Sequence, residues 1–362
     1  MSPDSAFAGR WEESPGFGNH PLAQVLSVSR APHIESPEAG YEPLLAYCGT
    51  AFGSRPELHY LTHFGTGFFD FSLDVFDHEA CRSRYGGRTP DELRADHQSA
   101  CRHLVICTER FDRMLADLKS GDLMRTLIAS ADGALSCHRV RPDQYLVGAT
   151  LHPESADDMD TLTSVAVTTV RTDIYGLSDE MPGGLKDVTV TPIDVPAEPL
   201  EQRRGESCPD DVHAAFIKLC ATAVNADDLH YAALFRDYTF CASADVLGSP
   251  RLSQWFYNIA TETRRKLYES LGGEMRQELA QLTHAVRTIV RQPLDRLVLD
   301  VQEGAVYVYR IGREGDLLVG VTLRQPAVHA AEKRLRDLLA GLRRNETFTQ
   351  IPDDFPFASE QG

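Results

Sequence analysis

Four side chains at helical spacing could bind a transition metal: His97, Cys101, His103 and Cys107. His97 and Cys101 stand four residues apart, as do His103 and Cys107, and imidazole with thiolate is a familiar donor set. A closed zinc site needs four convergent ligands. Residue 103 lies more than half a turn round a helix from residue 101, so the two pairs face different ways. His97 and Cys101 therefore remain a bare pair, and no metal site is expected.

Other candidates have simpler explanations. His59 and His230 each stand in Leu-His-Tyr on a β-rich run. They could titrate near neutral pH, but a shared structural niche accounts for both. Gly65-Thr66-Gly67 has part of a phosphate loop's glycine pattern, yet no helix start comes after it, so a hairpin turn is expected. No phosphate-loop, zinc-protease or serine-nucleophile signature occurs. No catalytic residue and no cofactor is expected. Redox sensing through Cys101 or Cys208 is conceivable; Cys208 falls in a linker and is expected to be exposed. Trp255, Phe256 and Tyr257 stand in a row, and a helix cannot bury all three on one face. Aromatics are enriched at binding hot spots, so these three are the candidate interaction surface.

These residues sit within an internal repeat. Leu58, His59, Tyr60, Phe64, Phe69, Ser72, Asp74 and Val75 match Leu229, His230, Tyr231, Phe235, Phe240, Ser243, Asp245 and Val246, a shift of 171 residues. The same shift matches Leu123, Arg125, Gly133, Ala134 and Arg139 to Leu294, Arg296, Gly304, Ala305 and Arg310. With one residue of slip, Leu146-Val147-Gly148 matches Leu318-Val319-Gly320. Several blocks in one order at nearly one offset point to a tandem duplication.

The expected organisation is an N-terminal extension over 1–41, partly disordered; a first repeat over 42–177; a linker over 178–210 with a short strand near 188–195; a second repeat over 211–344; and an acidic, disordered tail over 345–362. Within each repeat the patterning predicts helix, two strands as a hairpin, a long helix, three strands and a final helix. The long helix of the first copy opens at Thr89-Pro90-Asp91-Glu92, a capping box with Pro at the first position. Leu93, His97, Ala100, Leu104, Cys107, Phe111, Leu115 and Leu118 then keep a near-heptad seam. In the second copy, a helix after Ser249-Pro250 should place Leu252, Trp255, Phe256, Ile259 and Ala260 on one face, and Gly272-Gly273 should interrupt the helical region. The expected fold is α/β of the α+β kind: two tandem three-layer modules, each with a five-stranded, mostly antiparallel sheet and a long crossover helix.

This order of elements resembles the roadblock/LC7 superfamily, including its MglB-like bacterial members. The best-matching stretch runs from Leu294 to Leu342: a strand, a hairpin turned at Glu303-Gly304, a strand ending in Leu317-Leu318-Val319, then an amphipathic helix. The longer, glycine-containing helical region of the second copy departs from the pattern, and PAS-, GAF- and profilin-like modules stay open. The resemblance implies dimerising modules whose central strands join edge to edge and whose long helices pack side by side. On one chain that becomes an intramolecular pseudodimer, monomeric or homodimeric in solution. It also implies a non-enzymatic scaffold or regulator with a protein partner, such as a small GTPase or a signalling component. The alternatives are a small-molecule sensor, or an enzyme with dispersed residues.

Composition limits the partner class. The net charge of −17 opposes general nucleic-acid binding and docking on an anionic membrane. No secretory leader and no membrane-length apolar run is visible. Eight cysteines without a C-x-x-C pair suit a reducing cytoplasm.

Overall fold

The structure is a computed structural model and describes residues 26–36, 40–53, 57–78, 81, 87–177 and 199–349. The expected strand at 188–195 and the tail beyond 349 lie outside the described residues. The described residues form twelve strands: β1 (Ser27–Arg30), β2 (Tyr60–Gly65), β3 (Phe68–Asp74), β4 (Leu123–Ser130), β5 (Gly133–Arg141), β6 (Gln144–Thr150), β7 (Glu201–Arg204), β8 (Tyr231–Arg236), β9 (Thr239–Asp245), β10 (Arg296–Val301), β11 (Gly304–Arg310) and β12 (Leu317–Thr322). The helices are α1 (Glu42–Gly53), α2 (Pro90–Leu115), α3 (Ala156–Thr169), α4 (Asp210–Ala223), α5 (Thr261–Val286), α6 (Val328–Arg344) and a last turn, α7 (Glu346–Thr349).

All twelve strands lie in one antiparallel sheet, in the order β1-β3-β2-β6-β5-β4-β10-β11-β12-β8-β9-β7. The fold is mixed α and β, as expected, but two separate five-stranded sheets are not what forms. Two differences matter. First, β4 pairs with β10, so a single sheet runs through both halves. Second, each half gains a sixth strand from outside its predicted repeat. β1 pairs with β3, and β7 pairs with β9. Their sequences, Ser-Val-Ser-Arg and Glu-Gln-Arg-Arg, carry no run of alternating apolar residues, so nothing local marks them as strands. Short, polar, charged strands suit the two outer edges, where an apolar edge would recruit other chains.

Helices cover both faces. Along β5, Cys137 points to Thr108 of α2, while the next residue, His138, points to Ser164 and Asp160 of α3. Successive strand residues face opposite sides, so α2 and α3 lie on opposite faces. On the second half α6 packs on β11 and β12, and Gly320 leaves room for Leu335.

The N-terminus of α2 is the capping box read from sequence. The Thr89 hydroxyl accepts from the Glu92 N–H, and the Glu92 carboxylate accepts from the Thr89 N–H at 2.8 Å. The seam from Leu93 to Leu115 is buried throughout. It serves two neighbours: His97 lies against Tyr60 of β2, while Cys107 lies near Glu278 of α5.

The second long helix departs from expectation. α5 runs unbroken through Gly272 and Gly273. A Cβ at Gly272 would stand 2.3 Å from the Phe235 ring and 2.8 Å from the Tyr238 carbonyl. The glycine thus lets the helix press against the β8–β9 hairpin, and the packing outweighs its poor helix propensity. The segment after Ser249-Pro250 is also different: it forms a 3-10 helix, Pro250–Phe256, and α5 begins only at Thr261. Among the described residues, no helix is long and apolar enough to cross a membrane.

Candidate functional site

The junction of the halves is built around one pairing. In the β4–β10 ladder Leu127 stands opposite Val298, and these two positions are related by the 171-residue shift. Each therefore meets its own counterpart, the arrangement of a two-fold interface. The loops repeat the relationship. Gln302 and Glu303 donate backbone N–H groups to the carbonyls of Asp122 and Ser120. On the other side, Arg291 and Gln292 donate theirs to the Asp132 carboxylate, at 2.9 and 2.8 Å. On the helical face Arg110 of α2 donates to Gln281 of α5, again 171 residues on.

Beneath α3 and α6 the junction holds a buried charge network. Arg125 on β4 pairs with Asp160 of α3 and with Asp300 of β10. Arg296 on β10 pairs with Asp157 of α3 and Glu332 of α6, both at 2.6 Å. Arg336 adds a second cation to Asp157. Burial pushes the Asp300 carboxyl up to about 7, with Asp160 and Glu332 adding to the rise and Arg125 opposing it. Burial also raises Asp160, but Arg125 and His138 outweigh it and hold its carboxyl below the usual range. These charges are spent on one another. They tie α3 and α6 to the strands at the seam.

The three aromatics divide as one row on a short 3-10 helix must. Phe256 lies under the Arg264 guanidinium, 5.0 Å from its ring centre. Arg264 is fully buried and donates to the Leu118 carbonyl of the first half at 2.6 Å, so Phe256 belongs to the junction. Trp255 is half-buried against the core and lines a cleft of about 520 Å³ with Arg251, Gln254, Glu303 and Arg324. Arg251 is paired with Asp227, whose carbonyl accepts from Arg324 at 3.0 Å. Tyr257 is 89% exposed. A tryptophan-floored cleft beside a bare tyrosine is therefore the part of this region open to a partner.

The remaining candidates are structural. His97 is buried between Tyr60 and Phe76, its Nδ1 bonded to the Leu93 carbonyl at 2.8 Å. Burial pushes its pKa down to about 4. Cys101 is buried beside Cys137 and its thiol is pushed up. Among the described residues no three His, Cys, Asp or Glu side chains converge on a metal position. His59 accepts from the Leu151 N–H, and His230 accepts from the matching Leu323 N–H; one niche serves both halves. Gly65-Thr66-Gly67 is the β2–β3 turn, with Thr66 and Gly67 at positive φ, as hairpin turns require. The matching turn in the second half is made by Asp237 and Tyr238, each 171 residues on from Thr66 and Gly67. Cys208 is buried, not exposed, with its sulfur against that of Cys241.

One cluster had no sequence signal. Asp70, buried on β3, accepts from His33 and His63, each at 2.7 Å, and Tyr41 bonds the same carboxylate. Residues 33, 41, 63 and 70 share no helical or strand period, so only the sheet edge brings them together. Comparison with family models, with curated proteins and with solved structures finds no match.

Proposed function

We propose that this chain is a non-enzymatic interaction platform: an intramolecular pseudodimer of two related roadblock-like modules that regulates a protein partner. The observation that carries the reading is the isologous ladder in which Leu127 meets Val298 while Arg110 meets Gln281. Two modules that would otherwise meet as separate subunits satisfy one another within a chain. The dimer surface is then consumed internally, and each copy is free to diverge on its outer surface. Trp255 and Tyr257 have diverged in this way: the positions 171 residues earlier are Arg84 and Gly86. The partner class suggested by the module type is a small GTPase or another signalling component.

Two measurements test this. Light scattering after size exclusion should give a monomer of 40.1 kDa. Capture with nucleotide-loaded small GTPases, and then with other signalling proteins of the same cell, should retain a partner that Tyr257→Ala releases. A wild-type chain that retains none of them counts against the platform. The sensor alternative needs a pocket of roughly 300–1,000 Å³. The cleft between α5 and β10–β12, at about 160 Å³, falls below that range, whereas the Trp255 cleft, at about 520 Å³, falls within it, so a small ligand on the sensor reading would sit beside Trp255 rather than between helix and sheet.

A further inference from the structure

The same corner is tied down in both halves, by different chemistry. Ala31, just past β1, donates its N–H to the Asp70 carbonyl at 2.7 Å. Gly205, just past β7, donates to the Cys241 carbonyl at 2.8 Å. Asp70 and Cys241 are related by the 171-residue shift. In the first half the chain after the edge strand sends His33 onto the Asp70 carboxylate. In the second half it sends Cys208 onto Cys241, sulfur to sulfur, at 2.8 Å. That separation is about 0.8 Å longer than a disulfide bond of ~2.0 Å, and both sulfurs belong to buried side chains.

We propose that Cys208 and Cys241 are a redox modification site that closes to an intramolecular disulfide under a peroxide-class oxidant and locks edge strand β7 to β9. Independently of the platform reading, the chemistry stems from where the two cysteines sit. Cys208 lies on a turn held by an exposed ion pair, Arg204 to Asp210, and by the Arg204 bond to its carbonyl. Cys241 is fixed on β9, and burial keeps its thiol protonated at rest. Opening of the turn exposes Cys208. Its sulfur, having lost its proton, attacks one peroxide oxygen. The O–O bond breaks, and the leaving hydroxide takes up a proton to become water. The sulfenic acid on Cys208 is then attacked by the Cys241 sulfur. The S–O bond breaks, the S–S bond forms, and the second hydroxide leaves as water with the Cys241 proton. Two thiols lose two electrons and one hydrogen peroxide gains them.

Closing the loop from 208 to 241 restricts the unfolded chain. The thermal midpoint should rise by about 5 °C. The test treats the whole folded chain with stoichiometric hydrogen peroxide, blocks the remaining thiols and maps the digest by mass spectrometry. The expected result is a Cys208–Cys241 cross-linked peptide with six of the eight cysteines still alkylated. Dithiothreitol should reverse both the cross-link and the thermal shift, and Cys208→Ser and Cys241→Ser should each lack them. A chain whose folded form gives no such cross-link, gives sulfinic acid at Cys208 instead, or cross-links only after denaturation overturns the proposal. The wild-type map reads this out even if a serine variant fails to fold.

Discussion

Arg125, in β4, and Asp300, opposite it on β10, form an ion pair across the ladder that joins the two halves of the sheet. The pair has no mirror image. The position matching Asp300 in the first half is Ala129, which stands opposite Arg296. Arg296 turns instead to Asp157 and Glu332, one from each flanking helix. The backbone at the junction is thus two-fold, while its charges are not. A swapped or slipped pairing of β4 with β10 would strand Arg125 or Asp300 without a partner. The network selects one register at some cost in desolvation.

Removing Arg125 should therefore hurt far more than removing the charge of Asp300. Arg125→Met leaves Asp160 and Asp300 buried together, and should cost about 3–5 kcal/mol. Asp300→Asn removes a carboxylate that burial already disfavours, and should cost under ~1 kcal/mol at pH 7. Urea unfolding of both variants measures the difference. Equal losses would show that Asp300, not Asp160, is the counter-ion that matters.

Acid sensitivity should trace to the buried imidazoles. Burial holds His97 and His230 at about 4, below the ~6.5 of an unfolded histidine. As pH falls from about 6.5 to 4 the unfolded chain takes up protons that the fold refuses, so stability falls through that window. Each histidine accounts for about 3 kcal/mol at most. Asp300 has the opposite sign: its carboxyl is raised to about 7, so its penalty builds as pH rises from about 4 to 7, is full above 7 and is relieved as pH drops back through that window. His97→Phe, which fits between Tyr60 and Phe76, should lose less stability than wild type between pH 7 and 4.5. An unchanged pH profile would show that His97 is protonated in the fold.

The glycine pair in α5 should split under substitution. Gly272→Ala places a Cβ against Phe235 and the Tyr238 backbone, and should cost about 1–3 kcal/mol. Gly273→Ala meets nothing within 4 Å, and should stabilise the helix by roughly 0.5–1 kcal/mol. Thermal melts of the two single variants check the opposite signs.

The two accessible aromatics of the 255–257 row, Trp255 and Tyr257, should separate binding from folding. Tyr257→Ala removes a side chain that is 89% exposed, so the melting temperature should stay within about 2 °C, since surface changes fall within ±0.5 kcal/mol. Partner affinity should drop by about tenfold or more, as for a hot-spot aromatic. Trp255→Ala should lower both, because its ring also packs on the core. A Tyr257 variant that binds as wild type would place the contact elsewhere.

Local patterning is strongest where one element suffices to express it. The capping box at Thr89 and Glu92 needs four consecutive residues, and it stands as read. The hairpin turn at Thr66-Gly67 needs two. The seam of α2 needs only a repeat of apolar spacing. Each of these is a preference of the chain within a few residues of itself, so composition and spacing reveal it. The matched pairs 171 residues apart are legible for another reason: sequence identity carries shared niches, as with His59 and His230, without any knowledge of what fills them.

What the amino-acid order determined by itself was the repeat, the capped start and seam of α2 and the Thr66-Gly67 turn, because these can be read from residue identity and spacing along the chain. What only tertiary structure decided were contacts between distant segments. The edge strands β1 and β7 are strands because β3 and β9 offer unpaired backbone groups, not because Glu-Gln-Arg-Arg prefers extension. α5 continues through Gly272 because Phe235 fills the space a side chain would need. Cys208 is buried because a turn folds it onto Cys241, and Asp70 gathers two histidines because the sheet edge brings residues 33, 63 and 70 together. In each case the deciding energy is packing or hydrogen bonding with a partner distant along the chain, which no local period can encode.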